Sequence, residues 1–211
     1  MFSDRTDAGQ QLARGLESYR RSNPLVLGLP RGGVVVAAAI ARALQCDLDV
    51  LLVKKLRAPD NPELALGAVC EEGRVFINEE VLRLTGADDF YLEAERRERL
   101  AEIADQRRRY RAVKPRQPLT GRTILLVDDG LATGATMIAA AGASALSRPQ
   151  ELVVAVPVSH PETIDTLEAM PMVDRVVCLE APVGFIGVGQ FYQDFTQVSD
   201  EEVVAILKQF A

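Results

Sequence analysis

Short apolar runs alternate with longer stretches of helical periodicity along most of the chain. Residues 24–29 read as a buried strand, and residues 34–44 as an alanine-rich helix. A second strand is predicted over 49–53. Residues 64–70 and 74–78 suggest a third strand and a hairpin arm, split by Glu71-Glu72-Gly73. Further on come a strand at 123–127 with a helix at 134–147, a strand at 152–158 with a helix at 161–169, and a last strand at 173–179. The strand runs are near-continuous in Val, Leu and Ile rather than alternating, the pattern of strands covered on both faces. Strand–helix alternation of this kind predicts an α/β fold with a mainly parallel, doubly wound sheet.

Three segments break the rhythm. Residues 4–21 have helical spacing, with Leu12, Leu16 and Tyr19 on one face. Residues 88–111 form a long helical stretch dense in both acids and arginines. Its ordinary reading is a solvated helix; a sharper one makes Arg107-Arg108-Arg109 a basic flank near an anionic ligand. Residues 181–211 are rich in glycine and aromatics before a final helix from Ser199, where Ser199 and Glu202 have capping-box spacing.

With 211 residues, the chain is long enough for one full domain with an appended subdomain. At 48% hydrophobic and 26% charged residues, disorder is not expected. No apolar stretch reaches the roughly 18–20 residues of a membrane span, and the polar first ten residues do not resemble a signal peptide. Cys46, Cys70 and Cys178 are widely separated in apolar contexts and read as reduced structural thiols, which fits a cytoplasmic protein. The net charge of −6 argues against a general nucleic-acid binder. His160 is the single histidine, so metal sites built on several histidines are excluded.

Candidate chemistry lies at strand ends, where open α/β sheets bind ligands. The segment Val127-Asp128-Asp129-Gly130-Leu131-Ala132-Thr133-Gly134-Ala135-Thr136 joins an apolar strand to a helix. Its two carboxylates can accept hydrogen bonds from a vicinal diol. Its loop amides, the Thr133 and Thr136 hydroxyls and the helix N-terminus can hold a phosphate, with Gly134 letting the chain pass close to the anion. Pro30-Arg31-Gly32-Gly33, after the first strand, suits a second anion through amides and a guanidinium. Lys54-Lys55-Leu56-Arg57, after the second strand and beside a loop at 58–63, places cations where pyrophosphate could be captured.

Together these segments resemble the type I phosphoribosyltransferase family, whose signature is an apolar strand, two acidic residues and a T-G-x-T loop; residues 127–136 match it without a gap. The resemblance covers about residues 25–179. It implies a five-stranded core over about 22–179, a small hood from about 1–21 and 180–211, and a charged helical insertion over about 80–116. It implies that Asp128 and Asp129 bind the ribose hydroxyls of phosphoribosyl pyrophosphate and that Gly130, Leu131, Ala132, Thr133, Gly134, Ala135 and Thr136 bind its 5-phosphate. It implies pyrophosphate binding by Arg31, Gly32 and Gly33 beside a non-proline cis peptide. It also implies a mobile loop over about 56–67 with Lys54 or Lys55 at its root, Lys55 being the expected catalytic cation. Mg²⁺ is the implied cofactor, with Asp128, Asp129 and, more remotely, Asp194 as its carboxylates. A homodimer and a role in nucleotide metabolism are family expectations.

The stretch Phe185 to Asp194 is similar to the hood strand of purine phosphoribosyltransferases, where an aromatic stacks on the acceptor base; Phe185, Phe191 and Tyr192 are the candidates. Residues 179–182 lack the lysine such enzymes use toward a 6-oxo group. The chain is most similar to the uncharacterised branch of the family, with Asn61-Pro62-Glu63 in the loop and Phe191-Tyr192-Gln193-Asp194-Phe195 in the hood. The expected reaction is 5-phosphoribosyl transfer to a nitrogenous small-molecule acceptor. Two alternatives are a non-catalytic regulator that binds phosphoribosyl pyrophosphate and nucleic acid, and a phosphoribosyl hydrolase. His160, beside Pro161, reads as a helix-start residue.

Overall fold

The computed structural model describes residues 1–211, the side chain of residue 63 excepted. Helix α1 (Arg5–Gly15) starts at Asp4, whose side chain accepts from the Asp7 amide, and a short 3₁₀ segment follows over Glu17–Ser22. Strand β1 (Leu25–Gly28) leads into α2 (Gly32–Leu44) and β2 (Asp47–Val50). Strands β3 (Val53–Ala58), β4 (Asn61–Cys70) and β5 (Val75–Ile77) precede α3 (Glu79–Thr85) and α4 (Asp89–Arg111). Then come β6 (Thr123–Val127), α5 (Ala135–Ala145), β7 (Glu151–Val158), α6 (Pro161–Glu168), β8 (Arg175–Glu180) and α7 (Asp200–Lys208).

Five strands form a parallel sheet in the order β2-β1-β6-β7-β8. Its strands alternate between two apolar layers, which is why their sequences run apolar without a break. Leu25, Leu27, Ile124, Leu126, Leu152 and Val154 pack in one core with α5. Val26, Leu125, Val127 and Val153 pack in the other with α1 and α2. The helices thus cover both faces, as the doubly wound reading requires.

Two expectations change. The apolar run 49–53 contains no break signal, yet the strand stops at Val50. Leu51 still donates to the Gly28 carbonyl and Leu52 accepts from the Glu71 amide. The chain then enters a separate antiparallel sheet, β3-β4-β5. The loop expected over 56–67 is instead a hairpin, with Ala58 paired to Asn61 and register shifts on either side of Arg57. Lys54, Lys55 and Arg57 therefore lie on β3 rather than in a loop. The capping box at Ser199 and Glu202 is present, and His160 caps α6, its Nδ1 accepting from the Glu162 amide with Pro161 in the first turn. The cysteines form no disulfide, and burial pushes the Cys46 and Cys178 thiols up to about 11.

The end of α4 is tied down by ion pairs and a hydrogen bond. Arg111 bridges buried Asp49 (2.7 Å) and Glu71, and donates to the Val50 carbonyl. Tyr110, fully buried, donates to Asp200 on α7. Among the described residues no helix is long and apolar enough to cross a membrane.

Candidate active site

The strand order reverses direction between β1 and β6: the chain leaves β1 toward β2 on one side and reaches β6 on the other. Ligands of open α/β sheets bind at this switch point, beyond the carboxyl ends of the strands. Leu29 donates to the Val127 carbonyl at 2.9 Å, which brings the ends of β1 and β6 together. Asp128 and Asp129 sit there, half-buried.

Gly32 and Gly33 lie against this pair. A Cβ on Gly32 would fall 1.9 Å from Asp129 Oδ2, and one on Gly33 would fall 2.8 Å from Asp128 Cα and from the Val127 carbonyl oxygen. Glycine here clears space for the acidic pair itself, a different reason from the anion approach read in the sequence. A non-proline cis peptide joins Pro30 to Arg31, directly before Gly32 and Gly33.

Two residues from the chain ends hold Asp129: Arg5, which the motifs do not mark, and Tyr192 of the hood motif. Arg5 Nε donates to Asp129 Oδ2 at 2.7 Å. The Arg5 guanidinium also donates to the Thr196 carbonyl and stacks 3.9 Å above the Phe195 ring. Tyr192 donates its hydroxyl to the Asp129 backbone carbonyl at 2.6 Å. Among the described residues no cation pairs directly with Asp128; its carboxylate accepts from the Asp129 amide at 2.9 Å. Burial, and then the neighbouring Asp129 charge, raise the Asp128 carboxyl well above the ordinary aspartate range.

The loop after the pair forms a cavity of about 210 Å³, lined by Asp128, the whole of residues 130–137 and Val188. Gly134 caps α5 at φ +69°, and a Cβ there would strike Thr163 Cγ2 at 2.3 Å. Thr163 donates to the Ala132 carbonyl, and Leu131 to that of Val158, pinning the loop to the next strand and helix. Thr133 and Thr136 are exposed. The α5 N-terminus and small side chains thus face an open space that suits a phosphate.

Thr136 also lines a second cavity, of about 400 Å³, with Pro30, Lys54, Lys55, Arg57, Arg99 and Glu102 among its walls. Four cations and one carboxylate surround this space. Pro30 rather than Arg31 lines it, while Arg31 lies within electrostatic reach of Tyr110. The arginines at 107–109 do not flank either cavity. Arg108 and Arg109 pair with Asp105, Arg109 also reaches Glu201, and Arg107 faces Glu71.

The acceptor candidates separate. Tyr192 is 6% exposed, its ring set between Phe2 (5.4 Å) and Phe195 (4.9 Å), so no face remains for stacking a ligand. Phe185 and Phe191 stack on each other at 5.6 Å. Phe185 also lines a cavity of about 400 Å³ with Thr133, His160 and Glu162, beside the phosphate-type loop. Asp194 accepts from the amide and hydroxyl of Thr196, and with Arg5 borders a separate cavity. Its carboxyl is directed to its own turn rather than to the acidic pair. Among the described residues no group of three or more His, Cys, Asp and Glu side chains could hold a metal alone.

The chain has recognisable relatives among known proteins. The phosphoribosyl transferase domain matches residues 6–189. A Mycobacterium tuberculosis protein provisionally named a phosphoribosyl transferase, in strains CDC 1551 / Oshkosh and ATCC 25618 / H37Rv, is 45% identical over 207 residues. The match covers 98% of this chain and 46% of that protein, so the chain spans about half the length of the curated relatives it matches. The crystal structure of the TT1426 protein from Thermus thermophilus superposes with a TM-score of 0.94 at 46% identity, over 100% of this chain and 99% of the other.

Proposed function

The chain belongs to the phosphoribosyl transferase domain family, and on that premise we propose that it transfers a 5-phosphoribosyl group from phosphoribosyl pyrophosphate to a nitrogen nucleophile. In that reaction the bond from the anomeric carbon to pyrophosphate breaks, a carbon–nitrogen bond forms, and the acceptor nitrogen loses a proton. The observation that carries the proposal is the placement of two anion-type cavities on either side of Thr136, with Asp128 on the wall of one. A donor bearing phosphate at one end and pyrophosphate at the other requires two such spaces beside a diol-binding pair.

In this reading the loop 130–136 holds the 5-phosphate, and Asp128 and Asp129 accept hydrogen bonds from the ribose hydroxyls. Lys54, Lys55 and Arg57 favour the charge that develops on the departing pyrophosphate. The carboxylates near the anomeric carbon favour the cationic character that grows there. Residues 1–21 and 180–211 serve as the hood over the acceptor, with Phe185 the aromatic best placed to meet it.

The donor set fits Mg²⁺, which takes one or two carboxylates and completes its shell with substrate oxygens and water. Asp128 is the group to hold it, because Asp129 already has Arg5 as counter-ion. When bound, the ion neutralises oxygen charge on the donor.

The test is Mg²⁺-dependent pyrophosphate release with a panel of purines, pyrimidines and simple amines. At least one acceptor should raise release above the rate without acceptor, and Asp128→Asn should cut that release by about 10²–10³-fold. Release at the same rate with no acceptor would show a hydrolase instead.

A further inference from the structure

The cation-lined cavity already contains an anion of its own. Glu102, on α4, points its carboxylate among three of the wall cations. Arg99 Nη1 contacts its Oε1, Arg57 Nη2 lies 3.8 Å from Oε1, and Lys54 Nζ lies 3.9 Å from Oε2. Arg99 has a side chain only 5% exposed. Its Nε and Nη2 are buried and make no well-formed hydrogen bond among the described residues, although Glu95 lies 3.2 Å from Nε and Glu98 contacts Nη2. Arg99 Nη1, the nitrogen that donates to Glu102, thus stands on the cavity wall, where displacing that carboxylate leaves it ready to accept another anion.

The other acids near this cluster have structural partners or face outward. Glu95 accepts from the Arg57 amide at 3.0 Å and the Arg57 Nε at 3.2 Å, fixing β3 to α4. Glu98 is 64% exposed and meets Arg57 at 3.5 Å from outside. Among the acids around Arg99, Glu102 is the one that lines the cavity, and at 41% side-chain exposure it can swing away.

We propose that Arg99 is an anion-binding residue of this cavity, contributed by the helical insertion, and that Glu102 occupies its position until an incoming pyrophosphate group displaces it. The proposal rests on the reading that the cavity receives pyrophosphate. Lys54, Arg57 and Arg99 Nη1 then exchange one carboxylate for an anion with more charge and more oxygens. Glu102 thereby acts as a specificity element. A monophosphate offers less charge to repay its displacement, whereas a pyrophosphate offers enough.

The test is calorimetric titration of inorganic pyrophosphate with Mg²⁺ into wild type, Glu102→Gln and Arg99→Lys, with melting curves for each. Glu102→Gln should tighten pyrophosphate binding by about fivefold to tenfold, the effect of removing several modest ion pairs that compete with the ligand. The gain should shrink in high salt. Arg99→Lys should weaken binding by about tenfold, since lysine cannot reproduce the guanidinium fork. Unchanged or weaker binding in Glu102→Gln, with a lowered melting temperature, would show a purely structural pair and overturn the proposal. Titration of phosphoribosyl pyrophosphate separates this from failure of the donor reading. If that ligand binds wild type but Glu102→Gln gains nothing, only the proposal falls. If neither ligand binds either protein, both fall.

Discussion

The two cavities that meet at Thr136 are built in opposite ways. One is walled almost entirely by a single run, residues 130–137 with Asp128, and uses backbone amides, small side chains and a helix N-terminus. The other gathers residues from β3, α4 and two loops far apart in sequence, and uses side-chain charge already engaged in ion pairs. The contiguous wall is held by a few hydrogen bonds, Thr163 to the Ala132 carbonyl and Leu131 to that of Val158. A gathered wall depends on packing between elements, so each member contributes less alone and can be exchanged for a competitor.

The comparison is sharpest at Asp128. Asp128→Asn should lower the rate of pyrophosphate release by about 10²–10³-fold, the loss seen when a preorganised electrostatic group is removed. A drop of less than tenfold would mean that the contiguous segment does not dominate the site. Gly134→Ala tests the rigidity of the same wall. With φ at +69° and Thr163 Cγ2 2.3 Å from the new Cβ, it should cost about 1–3 kcal/mol in strain and overpacking. Thermal melting should fall by several degrees.

Arg5→Gln probes the link between the chain ends and the acidic pair. It leaves Asp129, 16% exposed, without its cation, at a cost of about 1–3 kcal/mol. Donor affinity should fall with stability; an unchanged affinity would confine Arg5 to holding α1 in place.

A smaller effect concerns pH. The folded-state pKa of Asp128 is raised, so its protonated form is favoured by folding. The unliganded protein should therefore carry this contribution fully below about pH 4 and lose it as pH rises through the raised value. Melting curves of wild type and Asp128→Asn from pH 4 upward should diverge, with the variant losing less. Parallel curves would remove the charge pressure assigned to this carboxyl.

The same contrast explains what could be read from sequence. The parallel sheet was legible because strands buried on both faces leave uninterrupted apolar runs, and the acidic loop because its parts are neighbours in the chain. The end of β2 at Val50 was not, since Leu51 and Leu52 are buried whether the strand continues or turns. Arg99 and Glu102 stand in a helix whose charges read as an ordinary solvated face, Arg5 precedes the apolar spacing of its own helix, and only tertiary packing brings them to the site. Tyr192 carried the composition of a stacking residue, yet its ring is enclosed by Phe2 and Phe195 and its hydroxyl supports Asp129. Composition marks an aromatic; it does not say which side of it faces a ligand.

The central claim is that both cavities serve one bifunctional donor. Calorimetric titration of wild type with phosphoribosyl pyrophosphate, ribose 5-phosphate and inorganic pyrophosphate, each with Mg²⁺, tests it directly. The predicted result is binding of all three, with phosphoribosyl pyrophosphate at least tenfold tighter than either fragment, the gain expected from joining two sites in one ligand. No binding of phosphoribosyl pyrophosphate, or affinity no better than that of ribose 5-phosphate, would contradict it.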